Sequence, residues 1–214
     1  MPSKHTIRQF TENSYYHIFN RGVEKRRIFQ DREDYNTFIY YLRIYLSDPK
    51  ELNLDKEILR LNLENHNLSN EVDLYAFCLM PNHFHLLLSQ KNKDSISKLM
   101  KQISNAYTQY FNKRNQRVGP LFQGKFKASK VSTDEYILHL SRYIHLNPIG
   151  RGASLSEFEW SSYMDYLGKE KRNWVKTDFI LNYFKENSPD TDYRKFVEED
   201  KNPNQIPTTI LIEE

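Results

Sequence analysis

The chain of 214 residues is 38% hydrophobic and 28% charged, which is enough for one substantial core or for a domain with an appendage. No segment approaches the roughly 18 uninterrupted apolar residues of a membrane span, and the N-terminus lacks the apolar stretch of a secretory signal. We therefore expect a soluble, cytoplasmic protein that does not contact a membrane. The single cysteine, Cys78, excludes an internal disulfide and a Cys-rich zinc module, and it lies in an apolar run that predicts core packing.

The net charge of +3 conceals two regions of opposite sign. Residues 151–214 hold nine Lys and Arg against thirteen Asp and Glu, a net charge of −4, which leaves +7 on residues 1–150. Between Asp94 and Asp134 there are eight cations and no acidic residue, and a second basic group follows an aromatic stretch near residue 20. Cations beside aromatic rings suit single-stranded nucleic acid, because Lys and Arg bind phosphates while unpaired bases stack on rings. The alternative for either group is a solvated basic face.

The first half of the chain begins as a strand followed by a helix. Tyr15–Arg21 alternates in the manner of a strand, and Asp31–Leu46 has an acidic first turn and helical apolar spacing. Residues 47–71 open with a Pro-containing turn and end in an Asn-rich stretch, which indicates an insertion or a long connection. A short helix is predicted within it, over Asp55–Leu63.

A hairpin and a second helix follow. Val72–Met80 is a continuous apolar run of strand length, and the turn Pro81-Asn82 separates it from a second run, His83–Ser89. Ser95–Phe111 places its apolar residues on one helical face, which predicts an amphipathic helix.

The chain then continues with a strand-like segment over Leu121–Val131 and a third helix that begins at Thr133 and stops before Pro148. Because the strands include an adjacent pair and are mixed with helices, the order favours an antiparallel α+β sheet over a doubly wound parallel one. From Gly150 the chain becomes acidic and keeps several aromatic residues, which predicts a helical extension packed on the core.

Two histidines on one strand are the first candidate for chemistry. Residues two apart on a strand project from the same face with Cα atoms about 6.5–7 Å apart, so His83 and His85 can share one metal ion while Phe84 enters the core. The alternative is a pair of half-buried, hydrogen-bonded histidines with no metal.

The end of the third helix supplies further candidates. Tyr143 and Asn147 are i and i+4, so they lie on one helical face about 6 Å apart and would present a hydroxyl and an amide oxygen together. Tyr143 by itself is one of 15 tyrosines, and most of these are expected to serve packing.

Five ordered segments together resemble the single-tyrosine HUH transposases of bacterial insertion sequences and their REP-associated tyrosine transposase relatives. The resemblance covers roughly residues 15–165, and the His-hydrophobic-His pair combined with Tyr-x-x-x-Asn is its most specific part. The segments are YHIFNRG (Tyr16–Gly22), YAFCLMPNHFHLLL (Tyr75–Leu88), GPLFQGKFK (Gly119–Lys127), DEYILHLSRYIHLNPI (Asp134–Ile149) and WSSY (Trp160–Tyr163).

The resemblance implies a ferredoxin-like α+β fold, an antiparallel sheet with helices packed on it and a C-terminal helical extension. It implies that His83, His85 and Asn147 bind a divalent metal, Mg²⁺ or Mn²⁺, and that Tyr143 is the nucleophile that attacks a single-stranded or hairpin DNA phosphate. The products would be a 5′-phosphotyrosine linkage and a free 3′-hydroxyl. Such a protein would be nucleoid-associated when bound to DNA.

The expected domain organisation follows from this resemblance. Residues 1–150 would form the catalytic domain, with 47–71 as an insertion or long connection, residues 151–200 a helical extension packed on it, and residues 201–214 a tail. Short members of the family form dimers that exchange the tyrosine helix, whereas REP-associated relatives with C-terminal additions work as monomers, so both a monomer and a homodimer stay open.

Basic and polar residues around the predicted strands are the candidates for DNA contact. His17 on the first strand is a candidate to line the sheet face near the metal, although the sequence does not orient it. His139 and His145 could contact substrate or accept a proton, but both are expected to be structural. The DNA-binding candidates are Arg21, Lys25, Arg26, Arg27, Lys113, Arg114, Arg117, Gln123, Lys125 and Lys127.

Two other functions are compatible with this sequence. A domesticated protein could keep the fold and bind hairpin DNA or structured RNA without cutting it, although the joint presence of the His pair, Tyr143 and Asn147 favours an enzyme. A rolling-circle replication initiator would use the same chemistry, but the segment order and the YIHLNP string fit transposases better.

Overall fold

The sheet and its helices are described by a computed structural model that covers residues 10–52, 66–152, 154–187 and 191–199. The strands are β1 Ser14–Arg21, β2 Val72–Met80, β3 His83–Gln90 and β4 Lys127–Val131. The helices are α1 Arg32–Leu46, α2 Ser95–Arg114, α3 Asp134–Leu146, α4 Tyr163–Tyr166, α5 Asp178–Asn187 and α6 Tyr193–Glu198. Short 3-10 turns occupy Val23–Lys25, Asn147–Arg151 and Leu155–Glu157.

The four strands form one antiparallel sheet in the order β2-β3-β1-β4. The register of β1 against β3 places Arg21 opposite His83, Phe19 opposite His85, and His17 opposite Leu87. Because directly opposed residues project from the same side of a sheet, this register brings the side chains of β1 to the histidine strand. The predicted α+β architecture with an antiparallel sheet and C-terminal helices is confirmed.

Side-chain capping explains where two of the helices begin. The Asp31 carboxylate accepts hydrogen bonds from the backbone N–H groups of Glu33 and Asp34, and the Thr133 hydroxyl accepts one from Tyr136. Each cap satisfies donors that a helix leaves without an internal partner, which stabilises the helix by about 1 kcal/mol. Helix α3 stops at Leu146, before Pro148, as predicted.

The sheet carries an apolar core on each face. On one face, Ile18, Phe84 and Leu86 pack against α1 and α2; we call this the α1/α2 face. On the other, Cys78 and Leu87 pack against α3 and the C-terminal helices; we call this the α3 face. The alternation of strand residues thus supplies two cores, and Cys78 is fully buried as predicted.

Four sequence predictions differ from the structure or lie outside it. The predicted strand Leu121–Val131 is wrong over its first half, because regular pairing begins only at Lys127. Before it, Gly124 has a φ of +142°, which is outside the extended region of a regular strand. Helix α2 extends one turn beyond Phe111. The predicted helix Asp55–Leu63 and the tail 201–214 fall outside the described residues.

The two ends of the 47–71 connection that the structure describes are fastened to the core. Leu68 is buried against the α1/α2 face, and the Asn67 side chain donates hydrogen bonds to the carbonyl oxygens of Ile44 and Ser47 at 3.0 and 2.7 Å. At the other end of the chain, α5 and α6 pack on the α3 face through Ile180, Phe184 and Tyr193. None of the described helices is long and apolar enough to cross a membrane.

Candidate active site

The β3 histidine pair lies on the α3 face of the sheet. The imidazoles of His83 and His85 are neighbours, with ring centroids 5.0 Å apart and ring planes nearly perpendicular. Phe84 projects from the opposite face, where its ring lies 5.1 Å from that of Phe38. The strand alternation that was predicted for this segment is therefore present, and His85 is fully buried while His83 is half-buried.

A third imidazole, that of His17 on β1, contacts His85 directly. The distance between His17 Nε2 and His85 Nδ1 is 2.8 Å, and the rings are stacked with centroids 5.0 Å apart. Burial lowers the pKa of His85 well below its usual value, and the nearby His17, His83 and Arg21 lower it further. His85 is thus a neutral imidazole, the form that binds metals.

His83 is oriented by the residue before it. Its Nδ1 lies 2.7 Å from the side-chain oxygen of Asn82. An amide oxygen only accepts hydrogen bonds, so the hydrogen of a neutral His83 is on Nδ1 and the lone pair is on Nε2. The Asn82 amide nitrogen in turn donates to the carbonyl oxygen of Lys25 at 3.3 Å, which ties the turn before β3 to the loop after β1.

Tyr143 reaches the histidines from α3. Its ring lies edge-on to His85 and to His17, with centroid distances of 5.3 and 6.1 Å, and it is half-buried. One turn later, the Asn147 amide nitrogen donates to the carbonyl oxygen of Tyr143 at 2.9 Å. With the nitrogen used in this way, the amide oxygen of Asn147 is the atom that a metal would take.

The residues present fit a divalent metal in part. His85 Nε2 is buried and has no hydrogen-bond partner among the described residues, which is the condition expected of a ligand atom. The part of the chain that the structure describes holds no cluster of three or more His, Cys, Asp or Glu side chains arranged for a metal. The two imidazoles with the Asn147 amide oxygen would therefore form an open set, completed by phosphate oxygens or water.

Four of the DNA-binding candidates lie at the end of β1 or on the segment that is hydrogen-bonded to it. Arg21 is opposite His83 in the sheet, and its Nε is buried with no hydrogen-bond partner among the described residues. Its carbonyl oxygen accepts a hydrogen bond from the backbone N–H of Gln123 at 2.9 Å, so the segment from Gln123 to Lys127 runs along the end of β1. Gln123 and Lys125 are exposed, and Lys127 Nζ lies 5.9 Å from the Phe19 ring centroid.

The second basic group lies in the turn after β1. Lys25 and Arg27 are exposed, whereas Arg26 is held by an ion pair with Glu24 at 3.0 Å and by a bond to the carbonyl oxygen of Val23. The turn begins at Gly22, where a Cβ atom would lie 2.3 Å from the Arg26 carbonyl oxygen. Only glycine fits that approach, so the position of the basic turn depends on it.

Lys113 and Arg114 lie elsewhere, in the last turn of α2, and Arg117 lies in the loop after that helix. The Arg114 guanidinium forms ion pairs with the Asp31 and Asp34 carboxylates at 2.6 Å each, and the Arg114 hydrogen bond lowers the pKa of Asp31. Arg117 is engaged by Asn112. These arginines join α2 to neighbouring segments, and the structure does not group them with the histidine pair.

Sequence reasoning named His17 as a candidate for the sheet face near the metal but could not orient it, because its position depends on the β1–β3 register. The alternation of β1 was the available signal, since His17 and Arg21 share one strand face. His145, expected to be structural, is fully buried and bonds to the hydroxyls of Tyr193 and Ser162 at 2.7 and 2.8 Å. The His139 ring lies 5.6 Å from that of Phe196 on α6.

Comparison with known proteins identifies the family of this chain. Among solved structures, a REP-associated tyrosine transposase bound to a REP hairpin is similar at a TM-score of 0.53 and 13% identity, over 81% of this chain and 92% of that one. A putative transposase from Deinococcus radiodurans has 15% identity over 67% of this chain and 95% of its own, at a TM-score of 0.29. No curated protein matches. The family model described as "Transposase IS200 like" matches residues 10–147, and the chain therefore belongs to the IS200-like transposase family.

Proposed function

We propose that this transposase is a metal-dependent single-strand DNA endonuclease and strand transferase that cuts and rejoins hairpin-forming DNA through a covalent 5′-phosphotyrosine intermediate. Tyr143 is the proposed nucleophile, and His83, His85 and Asn147 are the proposed ligands of Mg²⁺ or Mn²⁺. The observation that supports this most strongly is the edge-on contact of the Tyr143 ring with His85 at 5.3 Å, since these residues are 58 positions apart and neither packing nor helix capping requires a phenol there.

The proposed reaction begins with the phenol oxygen of Tyr143. The Tyr143 oxygen attacks the phosphorus, the P–O3′ bond breaks, and the 3′ oxygen leaves as a hydroxyl after taking up a proton. A phenol of pKa near 10 is a poor nucleophile while neutral, and a bound divalent metal would favour the phenolate and neutralise charge on the phosphate oxygens. Because the phosphotyrosine ester conserves the bond energy of the phosphodiester, an incoming 3′-hydroxyl can reverse the step and join a new strand.

The contact of the Tyr143 ring with His85 of the same chain supports a tyrosine that acts in cis. The C-terminal extension of residues 151–200 is the second support, because α6 packs on the helix that carries Tyr143. We propose a catalytic domain over residues 1–150 that functions as a monomer with this extension in place. A homodimer that exchanges α3 would have to break the buried contacts of His145 with Tyr193 and Ser162.

The nucleophile is tested by a denaturing-gel adduct assay. Hairpin oligonucleotides from the sequences that flank the gene are incubated with Mg²⁺ or Mn²⁺ and with wild type, Tyr143→Phe or Tyr136→Phe, the last being a matched loss of a phenol on the same helix. We expect a protein–DNA band with wild type and Tyr136→Phe, and none with Tyr143→Phe or in EDTA. A band that persists in Tyr143→Phe would show that another residue attacks, and tight hairpin binding without any adduct would favour the non-catalytic binding protein.

The DNA path is tested by the salt dependence of binding. We propose that Lys125, which is exposed on the segment hydrogen-bonded to the end of β1, contacts a phosphate. Lys125→Ala should then reduce the slope of log affinity against log salt by about 0.7 for a single strand. Lys101→Ala removes an equally exposed cation from α2, on the opposite side of the sheet, and should leave the slope unchanged. Equal slopes for all three proteins would remove Lys125 from the interface.

A further inference from the structure

The contact between His17 and His85 joins two imidazoles that are both withdrawn from solvent. His17 is 1% exposed and His85 is 0% exposed, and the nitrogen atoms that face each other, Nε2 of His17 and Nδ1 of His85, are 2.8 Å apart. This is the length of a full hydrogen bond. A neutral imidazole has one N–H and one lone pair, so one of the two rings must donate and the other must accept.

Burial alone does not set the direction of this bond, because the outer nitrogens of the two rings, His17 Nδ1 and His85 Nε2, are both buried. If His17 donates, the second hydrogen lies on His85 Nε2; if His85 donates, it lies on His17 Nδ1. The proposed metal sets the direction: a metal beside His83 and Tyr143 needs a lone pair on His85 Nε2, so His85 carries its hydrogen on Nδ1 and donates it to His17.

We propose that His17 is a positioning residue, which accepts the Nδ1–H of His85 and thereby presents the Nε2 lone pair of His85 to the metal. This inference rests on the proposed function, because it takes His85 as a metal ligand. A hydrogen bond from the second nitrogen of a ligating histidine fixes both its tautomer and its ring orientation. His17 then contributes through His85 and does not itself ligate through Nε2, since that lone pair is occupied.

The position of His17 in the sheet supports a role beyond packing. It lies opposite Leu87 on β3 and Ser129 on β4, and these three residues form one row across the sheet. An apolar residue would fill this row without leaving a polar group to be satisfied. The stacked arrangement, with 17° between the ring planes, also fixes the rotation of the His85 ring about its side chain.

The test combines a measurement that needs no metal with one that does. Long-range ¹H–¹⁵N NMR of the metal-free protein reports which ring nitrogen of His85 carries the hydrogen, and we expect Nδ1. Mn²⁺ affinity is then measured by electron paramagnetic resonance for wild type, His17→Leu, His17→Gln and Leu87→Val. Loss of a partner to a ligating histidine weakens metal binding about 10–100-fold, so His17→Leu should show that loss.

The two other variants separate positioning from simple destabilisation. The side-chain oxygen of His17→Gln can still accept the His85 hydrogen, so its Mn²⁺ affinity should return to within a few-fold of wild type. Leu87→Val perturbs the same buried row without touching the hydrogen bond, and it should lower the Tm while leaving Mn²⁺ affinity unchanged.

Three results would overturn the inference. Hydrogen on His85 Nε2, or equal Mn²⁺ affinity in wild type and His17→Leu, would remove the role of His17 alone. No Mn²⁺ binding by folded wild type would remove the metal site of the proposed function and, with it, the role of His17 toward a metal.

Discussion

The contact between the C-terminal extension and the tyrosine helix depends on one buried hydroxyl, that of Tyr193. It lies 2.7 Å from His145 Nδ1 and donates to the Ser141 hydroxyl at 3.0 Å. On the other side of the ring, His145 Nε2 lies 2.8 Å from the Ser162 hydroxyl. Because Tyr193 donates to Ser141, it accepts the Nδ1–H of His145, and the bonds form one continuous chain from α6 through His145 to residue 162.

We expect Tyr193→Phe to break this chain without changing the packing. The ring that remains still contacts the Tyr166 ring at a centroid distance of 4.4 Å, so only the hydroxyl is removed. His145 Nδ1–H is then a buried donor without a partner, because His145 is 0% exposed. Such a donor costs about 1–3 kcal/mol, and at about 2–4 °C per kcal/mol for a chain of this size the Tm should fall by about 2–12 °C.

The assay is thermal unfolding followed by circular dichroism, with hydrogen exchange of the α3 amides as a local readout. Tyr40→Phe is the matched control, since Tyr40 is 43% exposed on α1 and its change should stay within about 0.5 kcal/mol. We also expect faster exchange in the last turn of α3 in Tyr193→Phe. A Tm within 1 °C of wild type together with unchanged α3 exchange would refute the reasoning that α6 holds this helix, on the scale expected for surface changes.

Three further predictions concern buried polar groups. Burial lowers the pKa of His145 to about 3, below its unfolded value near 6.5. The free energy of unfolding should therefore fall as the pH drops from about 6.5 to about 3, with a slope up to about 1.4 kcal/mol per pH unit. His145→Phe should be less acid-sensitive in urea titrations, and an unchanged slope would contradict this. Burial also raises the pKa of the Cys78 thiol, so the native protein should react with a disulfide reagent only as fast as it unfolds, and rapid labelling would disprove that. Arg172→Met should lower the free energy of unfolding by about 3–5 kcal/mol in denaturant titrations, because it leaves the buried Asp165 carboxylate without the Arg172 Nη1 that binds it at 2.7 Å. A loss below about 1 kcal/mol would mean that the carboxylate is solvated or protonated.

The sequence alone determined the element types and the main chemical candidates. Alternation along β3 placed His83 and His85 on one face because a strand has a period of two residues, and the i, i+4 spacing placed Asn147 one turn after Tyr143. Caps and breakers such as Thr133 and Pro148 marked the helix ends because they act on neighbouring backbone groups. These inferences need only local geometry, which a short stretch of chain encodes.

The tertiary structure decided which distant residues meet. The contact of His17 with His85 joins residues that are 68 positions apart in the chain, and it depends on the β1–β3 register. That register is set by burial of the two sheet faces, so neither strand sequence alone predicts which residues lie opposite each other. Pairing of Arg114 with the acidic start of α1 likewise depends on how α1 and α2 pack, so its charge could be read from the sequence but its partners could not. Regular strand structure before Lys127 was mispredicted because apolar content signals burial, whereas strand pairing also requires a backbone conformation that the chain near Gly124 does not adopt.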